Sequence, residues 1–278
     1  MAAAGCGTRL ARVEAVVRNA GSDTMVNVAQ AWAEEYARVR PLVSVEVAGG
    51  GSATGIASLI DGSADLANSS RRVQPEEIQA AKRKRGQAPR EWIAGHDALA
   101  IYVHHSNPLD EISLEQLAAI YGRDGPIKNW GALGVTIPGA RGEEMVLISR
   151  QSNSGTYDYF RQAILGREGD LRQGTRDLNG SKEVVTLIAS TPNAIGYSGM
   201  GYATAGVKML RVSAKTGGPA YPPTAANTIA ELYPITRPLY IYSLGEPTGA
   251  TASYLAWILS PAGQRVVEKS GYVPLTAR

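Results

Sequence analysis

"RQSNSGTYDYFRQAIL", Arg150 to Leu165, is the stretch on which the reading of this chain turns. A loop of small hydroxyl and amide residues follows an arginine and runs straight into a helix. Tyr157, Phe160 and Ile164 recur at helical spacing, so one face is apolar from the first turn. Ser154 stands at the N-cap position, just before that periodicity starts. Free backbone N–H groups, the positive end of a helix dipole, hydroxyls and a guanidinium therefore meet at one point, a chemistry suited to an anion. The preceding "MVLISR", Met145 to Arg150, reads as a buried strand that delivers the arginine to the loop.

Two further loops share this design. Gly21, Ser22, Asp23 and Thr24 follow the strand pattern of "RVEAVVRNAG" and lead into "SDTMVNVAQAWAEEYARVRP", a helix with Met25, Val28, Ala29, Trp32 and Tyr36 on its apolar face. Gly49, Gly50, Gly51 and Ser52 follow the alternating "LVSVEVAGGG" and lead into the helix of "TGIASLIDGSA". "DLANSS", a short strand, ends at Ser70, and Arg71 follows it before a helix opened by Pro75. Any one such loop is what ordinary caps and turns are made of. Several of them, each at the carboxyl end of a strand, match the place where open α/β sheets bind ligands.

Strands alternate with helices through the rest of the chain, which predicts an α/β protein with mostly parallel sheets. "DALAIYVHH", Asp97 to His105, and "RPLYIYSLG", Arg237 to Gly245, are long apolar strands that can pass from one lobe to another. "SLEQLAAIYG" carries a capping box, Ser113 with Gln116, and the C-terminal helices split at Ser260-Pro261. The expected architecture has two lobes and two crossovers, with a ligand cleft at the hinge. Lobe 1 takes residues 12–102 and 239–278, and lobe 2 takes residues 103–238. Hinges are expected at Val103 to His105 and at Leu239 to Tyr242.

Composition removes several function classes. With 28 basic against 25 acidic residues, the net charge of +3 is too small for a nucleic-acid or membrane-surface footprint. The basic run Ala81 to Gly86 reads as the solvated last turn of a helix. The glycine run lacks the Gly-Lys-Ser/Thr of a nucleotide loop, and no serine sits in a Gly-x-Ser-x-Gly elbow. His96, His104 and His105 lack catalytic or zinc spacing, and the last two are expected on opposite faces of a continuing strand. No nucleophile with its base and no metal set stands in the donor loops, so neither enzyme nor cofactor is expected. The single cysteine, Cys6 in "MAAAGCG", has the small-residue surroundings of a lipid attachment site; the basic and apolar segments that normally precede one are missing here, and a chance cysteine in a tail is the other reading.

These residues resemble the phosphate-binding protein of phosphate-specific ABC transporters, an extracytoplasmic solute-binding family of the type with two crossovers. The likeness runs nearly end to end, through "GSDTMVNVAQAWAEEY", "GGGSATGI", "ADLANSSR", "ISLEQLAAIYGRDGPIKNWGALG", "ISRQSNSGTYDYF", "NAIGYSG" and "SPAGQRVVEKSGYVPL". It implies that Arg150, Ser154, Gly155 and Thr156 bind phosphate, that Gly51 and Ser52 do so from the second helix, and that Ser22, Asp23 and Thr24 do so from the first loop. Many relatives carry an aspartate where this chain has Ser70, and that carboxylate accepts the proton of hydrogen phosphate. Asp23 is accordingly expected to take over as acceptor and to exclude sulfate, which has no proton to give. Arg71 is expected to add positive charge to the site or to pair at the surface. The resemblance further implies a periplasmic or extracytoplasmic monomer that closes on phosphate, delivers it to the membrane subunits of an ABC transporter, and touches the membrane itself only through a lipid on Cys6. The alternatives are a receptor for sulfate, molybdate or arsenate and, more remotely, a secreted phosphatase.

Overall fold

The computed structural model describes residues 13–139, 142 and 144–275; Cys6 lies outside them. Among these residues the strands are β1 (Ala15–Gly21), β2 (Val43–Ala48), β3 (Leu66–Ser69), β4 (Pro89–His104), β5 (Glu111–Ser113), β6 (Val146–Arg150), β7 (Arg176–Leu178), β8 (Ala194–Gly199), β9 (Val207–Met209), β10 (Arg211–Ser213), β11 (Ala220–Tyr221) and β12 (Thr236–Leu244). The helices are α1 (Val26–Val39), α2 (Ser52–Asp61), α3 (Pro75–Arg85), α4 (Leu114–Tyr121), α5 (Gly155–Leu165), α6 (Ser181–Ala189), α7 (Ala225–Ile229), α8 (Gly249–Leu259) and α9 (Pro261–Lys269).

The strands follow the order β2-β1-β3-β12-β4-β8-β6-β7, with β9 also on β4. Residues Pro89 to Ala98 of β4 pair with β12, whereas Leu99 to Val103 pair with β8. One strand thus belongs to two sheets in succession, which is how the chain passes between lobes. The expected parallel pairing holds for β1 with β2 and β3, and for β6 with β7 and β8. It fails at the crossovers, where β12 runs antiparallel to both β3 and β4. A crossover strand enters its sheet from the opposite end, so antiparallel pairing follows from the return of the chain. The pairing of β4 with β12 also slips by one residue: Leu239 faces Gly95 and Tyr240 faces Ile93, leaving Ala94 as a bulge.

Two apolar cores flank the passage. One gathers Met25, Val28 and Trp32 of α1 with Leu239, Ile241 and Val267. The other gathers Leu117, Ile120 and Tyr121 of α4 with Phe160, Ile195 and Tyr197. Sequence signals act locally as expected. Ser113 and Gln116 close the capping box of α4, and Ser260 ends α8 while capping α9. Helix α3 carries Glu76 and Glu77 in its first turn and four basic residues in its last, all four exposed, so its charges complement the macrodipole.

Candidate functional site

Five strand ends meet between the cores, with β3 delivering Ser70. β1 leads into Ser22 and a short turn over Asp23–Met25, β2 into α2, β6 into α5, and β7 into α6. Each junction turns hydroxyls inward. Thr24 Oγ1 lies 2.7 Å from Thr156 Oγ1, and Ser22 Oγ donates to Ser70 Oγ at 3.0 Å. Ser70 Oγ is also 3.4 Å from Ser52 Oγ and 3.5 Å from Thr156 Oγ1, and Thr24 is 3.5 Å from Ser181 Oγ. Each hydroxyl can turn to donate or accept, so the set adapts to an anion.

The two sides approach so closely that glycine is required at two positions. Gly51, at φ 94°, faces Asn153, whose carbonyl oxygen a Cβ would meet at 2.7 Å. A Cβ on Gly155 would lie 2.4 Å from Ser52 Oγ, so nothing larger brings the starts of α2 and α5 together. Ser154 serves the backbone rather than the hydroxyl group: its Oγ accepts from the N–H of Thr156 and Tyr157, confirming the expected cap.

Two guanidiniums border the hydroxyls, and each is 1% exposed. Arg150 donates to Ser181 Oγ at 3.1 Å and to the carbonyls of Leu178 and Asn179, and it pairs with Asp23 Oδ2 at 3.1 Å. Burial pulls its pKa below the ordinary value, against the opposing charge of Asp23. Arg237, on β12, donates to Thr156 Oγ1 at 3.1 Å, to Thr24 Oγ1 at 3.4 Å and to the Ser70 carbonyl. Its counter-ion is Asp97, fully buried on β4, whose Oδ2 accepts from both Nε and Nη2 of Arg237. Asp97 Oδ1 takes the Met200 N–H at 3.0 Å, so each carboxylate oxygen has a partner.

The expected residues therefore divide. Ser22, Thr24, Ser52, Ser70 and Thr156 form the hydroxyl group; Arg150 borders it; Gly51 and Gly155 permit the approach; Ser154 caps. The side chain of Asp23, expected as proton acceptor, has two partners in the structure. Its Oδ2 engages Arg150 and its Oδ1 accepts the Gly50 N–H at 2.9 Å, so the carboxylate fixes the arginine and the glycine loop. Its backbone carbonyl takes the hydroxyl of Tyr202, whose pKa burial pushes up to about 12. Arg71 also stands outside the hydroxyl group, making a two-pronged contact with Glu77 at 2.7 and 2.8 Å and lying 3.9 Å from Asp158 of α5. Burial pulls the Arg71 pKa down, but the bonds and charge of Glu77, with Asp158, more than offset it and leave it raised.

Arg237, Asp97 and Ser181 escaped the sequence reading. Ser181 had the same signal as the other donors, a glycine and a serine opening an apolar-faced helix. Arg237 and Asp97 had a fainter one: single charges inside otherwise apolar strands, which a folded protein buries only when paired. His104 and His105 do not project to opposite faces, because β4 ends at His104 and their rings lie 4.3 Å apart. Among the described residues no group of three or more His, Cys, Asp or Glu side chains could hold a metal ion.

Two lobes sharing crossover strands, with donors from both converging on a buried point, define a solute-binding protein of the periplasmic type. The chain belongs to the PBP superfamily, whose domain model matches residues 8–262. It is 38% identical to the phosphate-binding protein PstS of Pseudomonas aeruginosa, over 93% of this chain and 82% of that one. It is 32% identical to protein SphX of Synechococcus elongatus, over 95% and 79%. A putative phosphate ABC transporter substrate-binding protein from Clostridium perfringens, solved with bound phosphate, superposes with a TM-score of 0.83 at 27% identity, covering 94% of this chain and all of that one.

Proposed function

We propose that the protein is an extracytoplasmic receptor that encloses inorganic phosphate between its lobes and delivers it to an ABC transporter. The observation that carries this reading is the convergence of hydroxyls from both sides of the cleft on one point bordered by two buried guanidiniums. Burying cations and hydroxyls costs free energy unless they are paired, and a tetrahedral dianion pairs with many donors at once. The ligand contacts are assigned to Ser22, Thr24, Ser52, Ser70, Arg150, Thr156 and Arg237, with the backbone N–H of Gly155. Asp23 positions Arg150 instead of touching the proton of the ligand, and Arg71 holds the rim.

The lobes are taken to divide within β4 near Ala98 and Leu99, where its partner changes, and again at the start of β12, rather than at residues 102/103 and 238/239. Binding closes the cleft by bending these two strands, and no covalent step is needed. The receptor acts as a monomer, anchored through a lipid on Cys6. Calorimetric titration with phosphate, arsenate and sulfate tests the reading: saturable binding of phosphate is expected, and its absence would remove the function. The second reading, a receptor for another oxyanion, is favoured by Ser70, which as a hydroxyl makes no demand for a ligand proton; sulfate binding tighter than phosphate would establish it.

A further inference from the structure

The donors of a guanidinium lie in one plane, and the bonds of Arg237 hold that plane by its edges. Asp97 accepts from Nε and Nη2, the Ser70 carbonyl from Nη1, and the Oγ1 atoms of Thr24 and Thr156 from Nη2. Such bonds set the direction of the fork and leave its two faces to whatever packs on them. The guanidinium carbon stands 5.5 Å from the ring centre of Tyr159, on α5, within the ~6 Å of a cation–π contact. That contact is worth more at a desolvated cation than at an exposed one, and Arg237 is buried.

The ring is itself held. The Tyr159 hydroxyl donates to the carbonyl of Thr236, the first residue of β12 and the chain neighbour of Arg237. Burial raises the Tyr159 pKa, against the opposing charge of Arg237, so the hydroxyl keeps its proton and stays a donor. Thr156 and Tyr159 are three residues apart on α5 and therefore share a face. The helix whose first turn brings Gly155 and Thr156 to the hydroxyl group thus also carries the ring beside Arg237.

A cavity of about 510 Å³ opens to solvent at the same place, lined by Ser70, Tyr159 and Arg237 and further out by Arg72 and Arg167. Removing the ring would enlarge this cavity and bring water to the guanidinium. Water raises the local dielectric, and a hydrated cation holds an anion less strongly than a dry one.

We propose that Tyr159 is a positioning residue for the ligand: its ring, tethered to β12, holds the Arg237 fork at the hydroxyl group and shields it from solvent in the cavity. The proposal deepens the phosphate-receptor reading above and rests on it.

Calorimetric titration of the full chain with inorganic phosphate, in low and in high sodium chloride, tests this in the wild type, Tyr159→Leu and Tyr159→Phe. Tyr159→Leu should bind about fivefold more weakly or worse in low salt. Its deficit should grow by about twofold or more in high salt, because the guanidinium is then open to screening. Tyr159→Phe keeps the ring and should stay within about fivefold of the wild type. Leucine tolerated within that margin overturns the proposal, and so does a deficit that salt leaves unchanged, which marks a purely structural role. Urea unfolding checks that Tyr159→Leu is folded; if it is not, Tyr159→Phe decides, and a loss there beyond the same margin overturns the proposal. Failure of the wild type to bind phosphate removes the receptor reading, and this proposal with it.

Discussion

Two buried arginine–aspartate pairs face the same hydroxyls, and they are built differently. Arg150 lies at the end of a strand and its partner Asp23 in a turn; the carboxylate is 16% exposed and shares its charge with a glycine N–H. Arg237 and Asp97 sit directly opposite each other on the two crossover strands, and Asp97 has no solvent access. The first pair is held by loops on either side of the cleft. The second is part of the sheet that joins the lobes. The same chemistry therefore stands in two settings: one pair borders the hydroxyls from the loops, and the other ties them to the sheet that joins the lobes.

The largest effect should come from breaking the sheet-borne pair. Arg237→Met leaves Asp97 charged and buried, at a cost of about 3–5 kcal/mol in urea unfolding. The double variant Arg237→Met with Asp97→Leu should recover much of it, because the stranded charge is gone. Arg150→Met should cost less stability, about 1–3 kcal/mol, since Asp23 keeps a donor and some water. Equal losses at the two arginines would erase the distinction. Next comes binding: Arg150→Lys keeps the charge but loses the planar fork, and phosphate affinity should fall about tenfold to a hundredfold by calorimetry. Smaller again is Asp23→Asn, which still accepts the Gly50 N–H. About 1 kcal/mol of binding should be lost through a loosened Arg150, with the ratio of phosphate to sulfate affinity unchanged. A collapse of that ratio would restore Asp23 as the acceptor of the ligand proton.

The smallest effect concerns His96, the neighbour of Asp97 on β4. Burial lowers its pKa below the usual value of about 6.5. The unfolded chain therefore binds the proton more readily, so this contribution is full at higher pH and is lost as pH falls through about 6.5. Urea midpoints for the wild type should decline across that window more steeply than those of His96→Gln.

Much of the loop-borne site was legible from the sequence, and the sheet-borne site was not. Arg150, Ser52 and Thr156 lie where strand patterns break into glycine and hydroxyl residues before helices, so position along the chain announced them. Arg237 lies within "TRPLYIYSL" and shows its purpose only through Asp97, 140 residues earlier. Pairing across such a distance depends on strand register, and a single sequence carries no signal for it. The same gap hid the first half of β4, where "PREWIAGH" mixes charge and glycine and reads as a loop until β12 is laid beside it. Asp23 lies in the first donor loop, and its carboxylate is drawn to Arg150, a neighbour known only after folding.

The bulge at Ala94 has a consequence for how this chain tolerates length changes. Along a strand, successive side chains alternate between faces, and an inserted residue exchanges them. Trp92 and Ala94 pack into the α1 core, and strict alternation from there would assign His96 to that side and turn Asp97 away. The extra residue inverts the phase, so a Cβ on Gly95 would meet Val267 of the same core, and Asp97 meets Arg237. Deleting Ala94 removes one methyl group from the core. It also rotates the ion pair out of phase with the hydroxyls, a change in parity that no side-chain substitution can reproduce.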